Sequence, residues 1–261
     1  MADNLLWEPL QFLKLSKGEK VMIKIRAFKK NELFLISLVS FCLFVFAQLC
    51  QASMTSDSAL TLLKEGNLRF SQGKLSSPNQ DIARRTKTAD EGQKPFAIVL
   101  SCSDSRVPLG LIFDRGIGDI FGIRVAGNVA GTDQMGTIEY GVEHLGIPLI
   151  VVLGHTKCGA VTAVVEGEHA HGNLEKLVEK IVPAVKKTKK LFPNLPEEQL
   201  VDKCAMANVR QVIHDLKTQS PPIKKAIEKG ELKIVGGYYD ISSGRVDWLD
   251  SLSENGLRKG K

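Results

Sequence analysis

The chain has 261 residues, of which 43% are hydrophobic and 25% charged, which is ordinary for a globular protein and argues against disordered, collagen-like and coiled-coil architectures. Residues 1–52 carry seven Lys or Arg against four Asp or Glu, which leaves 28 against 25, a balance of +3, for the rest of the chain. So small a balance argues against a polyanionic partner, and we expect no nucleic-acid binding.

The first distinct segment is the uncharged apolar run from Leu33 to Leu49, which follows a basic stretch and precedes small residues. This layout is typical of a secretory signal peptide, so we predict that residues 1–52 are a signal peptide cleaved near Ala52/Ser53. Because the run is at the lower length limit for crossing a bilayer, an uncleaved N-terminal anchor is the open alternative. Either way, we expect residues 53–261 to be exported to the periplasm, or secreted, as a single domain without a membrane segment.

The cysteines are consistent with export. Removal of the signal peptide removes Cys42 and Cys50 and leaves Cys102, Cys158 and Cys204. An odd number argues against a disulfide framework. Free thiols in an oxidising compartment need protection, which binding a metal provides. Cys204 lies in a helical pattern and is expected to be buried.

The periodicity of residues 57–249 predicts one α/β domain. The expected helices are 57–72, 134–145, 158–165, 174–190, 197–219 and 222–229. The expected strands are 97–100, 120–125, 149–153 and 233–239, followed by 245–249 after a turn. The strands joined through helix 134–145 should be parallel, so the domain should contain a mainly parallel central sheet flanked by helices.

Three metal-binding residue types follow the ends of predicted strands. Cys102 comes just after the first strand, and His155 and Cys158 come just after the third. The carboxyl ends of parallel strands are where open α/β sheets place their sites, so we expect these residues to meet. Two cysteines and one histidine suit zinc. Because structural zinc sites use four protein ligands, a set of three predicts a catalytic zinc with a position left for water.

Asp104 and Arg106 stand at alternate positions beside Cys102. A surface ion pair is the simple alternative, but here the carboxylate is two residues from a proposed ligand. It could accept a hydrogen bond from metal-bound hydroxide while the guanidinium fixes its orientation. A zinc that only stabilises the fold would not explain why Asp104 and Arg106 stand beside an open coordination position.

The sequences C-S-D-S-R at 102–106 and H-T-K-C-G at 155–159 together resemble the paired motifs of β-class carbonic anhydrases, over most of residues 57–245. The resemblance implies that fold, with an N-terminal helix packed on a partner subunit in a homodimer or homotetramer. It also implies one zinc per chain on Cys102, His155 and Cys158, with Asp104 and Arg106 beside the metal-bound water. The implied reaction is reversible hydration of carbon dioxide to bicarbonate and a proton, by attack of zinc-bound hydroxide.

Further positions resemble the plant-type subgroup. Gln93 matches its substrate-contacting glutamine, and Phe121 and Tyr140 match its apolar pocket walls. The subgroup that is inhibited by bicarbonate has a tryptophan at the position of Val99, so we expect no inhibitory bicarbonate site in this chain. Arg124 and Tyr239 nevertheless resemble other residues of that site. Ala126 departs from the plant-type valine, which bears on the pocket shape.

Other functions were weighed against this one. A hydrolase of carbon disulfide or carbonyl sulfide on the same scaffold is the alternative, since both molecules resemble carbon dioxide. Nucleotide binding at 154–159 lacks the required G-x-x-x-x-G-K-[ST] layout. His169 and His171 could move protons or bind metal, but a solvated loop is the simpler interpretation, and His144 and His214 are expected to be packing or surface residues.

Overall fold

The structure, a computed structural model, describes residues 54–249. The signal-peptide prediction, including Cys42, Cys50 and the cleavage position, lies outside this range. None of the helices within residues 54–249 combines the length and the apolar composition needed to cross a membrane.

The described chain alternates helices with short strands. Its helices are α1 Ser56–Ser71, α2 Ile82–Glu91, α3 Leu109–Ile112, α4 Thr132–Glu143, α5 Gly159–Glu166, α6 Asn173–Val178, α7 Val182–Leu191, α8 Glu197–Gln219 and α9 Pro221–Glu228, with a 3₁₀ turn at Ala126–Asn128. Its strands are β1 Ala97–Ser101, β2 Ile120–Arg124, β3 Leu149–His155, β4 Lys233–Tyr239 and β5 Val246–Leu249. The predicted strands and most of the predicted helices are therefore present.

The strands form one sheet in the order β2-β1-β3-β4-β5. The first four strands are parallel, and β5 pairs antiparallel with β4. This confirms the predicted α/β fold with a mainly parallel sheet. The strands joined through α4 are parallel as expected, but they are not neighbours, because β1 lies between them.

Helices cover both faces of the sheet, which is why its central strands read as continuous apolar runs. Successive residues of β1 point to opposite faces. Val99 packs in a core cluster with Leu63 of α1, whereas Ile98 and Leu100 pack in another with Val212 of α8. With both faces covered, only the ends of the strands are left for a site.

Helix α1 packs on its own sheet. It begins one residue before the predicted start, and Thr55 caps it by accepting a hydrogen bond from the Ser58 amide. Its buried Asn67 donates to the carbonyls of Ile112 and Gly244 and accepts from the amide of Val246. The predicted packing of this helix on a partner subunit stays a prediction.

Two features of the helices differ from the prediction. Segment 174–190 is two helices, α6 and α7, because Pro183 near the start of α7 has no amide hydrogen to continue a helix from the preceding turn. Helices α2 and α3 were not predicted. Helix α2 buries no residue and α3 is a single turn, so neither carries an apolar period.

Candidate metal centre

The three predicted ligands meet at the carboxyl ends of two neighbouring strands. Cys102 directly follows β1, and His155 is the last residue of β3 rather than a residue beyond it. Cys158 caps the amino end of α5. All three are buried, and their ligand atoms lie within 4.8 Å of one another. The predicted convergence is therefore confirmed.

The imidazole of His155 is oriented for coordination through Nε2. Its Nδ1 lies 2.8 Å from the carbonyl oxygen of Thr156, which can only accept, so Nδ1 carries the proton. Nε2 is buried and has no hydrogen-bond partner among the described residues. An unpaired buried acceptor costs about 1–3 kcal/mol, and a metal ion at this atom would remove that cost.

The two sulfurs also fit a dication. A hydrogen bond from Cys158 lowers the pKa of the Cys102 thiol below its usual range, against the opposing effect of burial. The pKa of Cys158 is raised, because it shares its proton with Cys102 and is itself buried. Two adjacent buried thiols cannot both ionise without a compensating positive charge. Two thiolates and a neutral imidazole are a ligand set for zinc.

Asp104 is held by Arg106 through a two-pronged contact. Arg106 Nε donates to Asp104 Oδ1 at 2.9 Å, and its Nη2 donates to Oδ2 at 2.7 Å. These hydrogen bonds hold the pKa of Asp104 well below its usual range. The same Nη2 also donates to the Lys157 carbonyl at 3.2 Å. The ion pair thus joins the loop after β1 to the loop between His155 and Cys158.

Arg124, at the end of β2, fastens the loop that carries Cys102 and Asp104. Its Nε donates to the Cys102 carbonyl at 3.2 Å, and its Nη2 donates to the Asp104 carbonyl at 2.7 Å. In the sheet Arg124 pairs with Ser101, which brings it beside that loop. Sequence reasoning missed this role, since a guanidinium that bonds backbone carbonyls leaves no residue pattern.

Lys157 lies between two of the ligands and has a left-handed backbone, with a φ of 54°. This conformation is unfavourable for a residue with a side chain and persists only where the surroundings impose it. The same residue supplies the carbonyl that accepts a hydrogen bond from Arg106. The sequence gives no sign of it, because lysine is not a residue that favours this region.

The predicted pocket residues are only partly together. The rings of Phe121 in β2 and Tyr140 in α4 have centroids 6.2 Å apart. Tyr140 also contacts the ring of His144, at 5.2 Å. Gln93 is exposed in the loop between α2 and β1. The geometry therefore groups the two aromatic residues and leaves Gln93 open to contacts from outside the chain.

The other histidines and Cys204 occupy the places expected of them. His169 and His171 lie in an exposed loop, and His144 and His214 are exposed on helices or their ends. Cys204 is a buried free thiol in α8, and burial raises its pKa to about 11. Among the described residues, the group Cys102, His155 and Cys158 is the one with metal-binding spacing.

Comparison with known proteins gives one consistent family. The family model described as "Carbonic anhydrase" matches residues 97–246. A carbonic anhydrase of Mycolicibacterium smegmatis is 37% identical over 203 residues, which are 76% of this chain and 96% of that protein. "Carbonic anhydrase 2" of Mycobacterium tuberculosis is 38% identical over 203 residues, 76% of this chain and 95% of that protein.

Solved structures agree with the sequence relatives. A β-carbonic anhydrase of Aspergillus fumigatus superposes with a TM-score of 0.61 at 29% identity and covers 77% of this chain and 94% of its own. One of two tetrameric β-carbonic anhydrases from Sordaria macrospora gives a TM-score of 0.60 at 27% identity, covering 64% of this chain and 87% of its own.

Proposed function

This chain belongs to the β-carbonic anhydrase family, and we propose that Asp104 and Arg106 orient the reacting water at its Cys102, His155 and Cys158 centre. The enzyme catalyses reversible hydration of carbon dioxide to bicarbonate and a proton and uses zinc. When bound, zinc supplies a Lewis acid that makes water a stronger acid near neutral pH, an effect for which carbonic anhydrases are the usual illustration. The convergence of the three buried ligands beside an ion pair is the observation that carries the proposal.

Asp104 is suited to accept a hydrogen bond from that water. Its low pKa keeps the carboxylate ionised at neutral pH, so it can accept but not donate. Among the described residues, its Oδ2 accepts a hydrogen bond from Arg106 alone and retains a lone pair for the reacting water. A water that donated to this carboxylate would be held in one orientation, which would favour its attack on carbon dioxide.

Arg106 and Arg124 give Asp104 its fixed position. Arg106 fixes the carboxylate and is itself tied to the Lys157 carbonyl. Arg124 fixes the backbone of the same loop at Asp104. We propose that carbon dioxide lies against Phe121 and Tyr140 at an interface between two chains, across which the exposed Gln93 amide donates to one of its oxygens. Apolar walls suit a substrate without charge.

The direct test is the hydration rate of the zinc-loaded chain across pH, by stopped flow, for wild type and Asp104→Asn. The variant keeps the shape but removes the charge, so we expect kcat/KM to fall on the order of 10- to 100-fold with the zinc content unchanged. Asp57→Asn, whose carboxylate is exposed and pairs with Lys233, is the control and should retain wild-type rates. Full activity of Asp104→Asn would reject the proposed role.

The carbonic anhydrase names of the relatives favour carbon dioxide over the alternative substrates, carbon disulfide and carbonyl sulfide. If the zinc-loaded wild type hydrates no carbon dioxide at any pH, those two substrates become the next to assay. Because two thiolates make the zinc less electron-poor than three imidazoles would, we expect activity to rise toward alkaline pH.

We also propose plant-type behaviour without bicarbonate inhibition. Val99 is fully buried in β1 against the core, where a tryptophan would not fit without rearrangement. Arg124 is committed to the carbonyls of Cys102 and Asp104. Hydration rates should follow simple product inhibition when bicarbonate replaces chloride at constant ionic strength. A cooperative loss of activity would contradict this subgroup assignment.

We propose that the enzyme is a homodimer or homotetramer. Several large apolar side chains are exposed on the single chain, and contact with a second chain would bury them. They are Leu68, Ile82, Leu111 and Tyr140, between 47% and 71% exposed. Sedimentation velocity of the zinc-loaded protein should give two or four chains, and a monomer at micromolar concentration would contradict the proposal.

We propose that the enzyme is exported and cleaved near Ala52/Ser53. The compact unit of the fold begins at Met54, and Thr55 caps its first helix, so cleavage there would leave this unit whole. Mass spectrometry of the protein from its host should find a mature N-terminus near Ser53 in the periplasmic or secreted fraction. An intact N-terminus would favour the uncleaved anchor.

A further inference from the structure

The long helix α8 touches the metal centre through one buried amide. Asn208, in the middle of α8, is fully buried. Its Nδ2 donates to the carbonyl of Gly127 at 2.8 Å. The amide of Gly127 in turn donates to Cys102 Sγ at 3.4 Å. A continuous chain of hydrogen bonds therefore runs from α8 through one residue of the 3₁₀ turn to a ligand sulfur.

The turn at Gly127 does not hold this shape by itself. Gly127 and Asn128 both have left-handed backbones, with φ of 67° and 45°. Glycine and asparagine both tolerate this region but do not require it, so contacts with the surroundings must maintain the turn. On the side of Ile181 and Ala160 the packing is tight, since a Cβ at Gly127 would lie 2.6 Å and 3.3 Å from their side chains. Asn208 supplies a hydrogen-bonded restraint.

The side-chain amide of Asn208 contributes little net stability to the fold. Its Oδ1 is buried and has no hydrogen-bond partner among the described residues. A buried acceptor left unpaired offsets much of what the bond to Gly127 contributes. An apolar side chain of the same size would remove the unpaired Oδ1, but it would leave the Gly127 carbonyl without this donor. The presence of Asn208 is therefore better explained by the position that it gives to Gly127 and, through Gly127, to Cys102.

We infer that Asn208 is a positioning residue of the metal centre, which acts through Gly127 to fix the N–H that donates to Cys102 Sγ. The inference deepens the proposed zinc function and rests on it. An N–H donated to a thiolate holds the sulfur in place and draws off part of its negative charge, and both effects govern how firmly the metal is held. Loss of this restraint should loosen the metal without removing any ligand.

The test compares zinc release from the full zinc-loaded chain to an excess chromogenic chelator for wild type and Asn208→Leu. Leucine has a similar volume but cannot donate. We expect the release rate to rise on the order of 10- to 100-fold. In the cobalt-substituted protein, the absorption bands from thiolate to metal should shift in energy or intensity, which a change in general stability would not produce.

Asn67→Leu is the matched control. Asn67 is also a buried amide that bonds to backbone groups, but its partners are Ile112, Gly244 and Val246, and no ligand contacts it. This variant should lower the unfolding midpoint while its cobalt spectrum stays that of wild type. Its zinc release gives the background effect of destabilisation. If Asn208→Leu does not fold, Asn208→Ser, whose shorter side chain cannot reach Gly127, takes its place.

Wild-type zinc release and an unchanged cobalt spectrum in the Asn208 variant would overturn the inference. Release no faster than that of an equally destabilised Asn67→Leu would overturn it as well. These outcomes differ from failure of the proposed function, in which the wild type itself would bind no zinc or hydrate no carbon dioxide.

Discussion

Asp114 ties the segment after α1 to the core. Its side chain is fully buried, and its carboxylate accepts hydrogen bonds from Arg69 Nε at 2.6 Å, from the amide and hydroxyl of Ser76 at 3.0 and 2.7 Å, and from the Ser77 amide at 2.8 Å. Burial alone would raise the pKa of Asp114, but these donors outweigh it and lower the pKa well below its usual range. The carboxylate is therefore needed in its charged form.

Asp114→Asn should lower the free energy of unfolding at pH 7 by about 1–3 kcal/mol, because donors arranged for a carboxylate lose their partner. Since the folded pKa lies below the unfolded value, the folded state binds fewer protons. The contribution of Asp114 is thus complete above about pH 4 and is lost as the pH falls further. Urea unfolding between pH 7 and pH 3 should give a flatter pH dependence for the variant.

The control for this prediction is Asp57→Asn. Asp57 pairs with Lys233 on the surface, and its side chain is 81% exposed. Because solvent screens such a pair, it contributes little to the free energy of unfolding, and the variant should unfold like the wild type at pH 7. An acid dependence of Asp114→Asn equal to that of wild type would show that Asp114 does not contribute to acid sensitivity.

At the scale of elements, the approach of α8 to β3 depends on Gly154. A Cβ at this position would lie 2.7 Å from Val209 Cγ2 and 3.6 Å from the Ala205 carbonyl. The absence of a side chain therefore lets α8 lie directly on the end of β3. Because His155 is the next residue, this contact also sets the position of a ligand.

Gly154→Ala should separate α8 from β3 and destabilise the fold by about 1–3 kcal/mol, the usual effect of overpacking. Bound zinc, measured after dialysis against metal-free buffer, should also fall. Gly159→Ala is the nearby control, since nothing lies within 4 Å of its Cβ and it begins α5, where alanine is favoured. A Gly154→Ala protein as stable as wild type would mean that the helix adjusts freely.

The features that could be predicted from sequence are those that leave a pattern of side-chain types along the chain. Buried strands and long amphipathic helices were predicted because their apolar periods reflect the covered faces of the sheet. The three ligands were predicted because the ends of parallel strands meet. Contacts with backbone carbonyls, such as those of Arg124 and Asn208, were not, since any residue supplies a carbonyl. The pocket residues Phe121 and Tyr140 came from resemblance to a family, not from a pattern.

On the scale of the whole molecule, the metal centre joins parts that are distant in the chain. Its ligands come from the ends of β1 and β3 and the start of α5. Arg106 adds a link between the two ligand loops. A zinc ion bound here would therefore stabilise the centre of the sheet as well as serve catalysis.

Removal of zinc should accordingly lower the thermal unfolding midpoint. A ligand present at a thousandfold excess over its Kd stabilises the folded state by about 4 kcal/mol, which corresponds to on the order of 10 °C in a domain of this size. Scanning calorimetry with a chelator, and again after zinc is restored, measures the difference. Magnesium should not substitute, because it prefers oxygen ligands. A midpoint insensitive to zinc would contradict this coupling.

The position of β1 beside β3 also orders events in folding. Before these strands pair, two of the three ligands, His155 and Cys158, are close together in the chain, while Cys102 is separated from them by β2 and α4. Closing that long loop is the slow, entropically costly step, so full coordination must follow it. The rate of zinc uptake during refolding should therefore become independent of zinc concentration once zinc is in excess. The newly made enzyme then acquires its metal in the compartment where the chain completes its sheet.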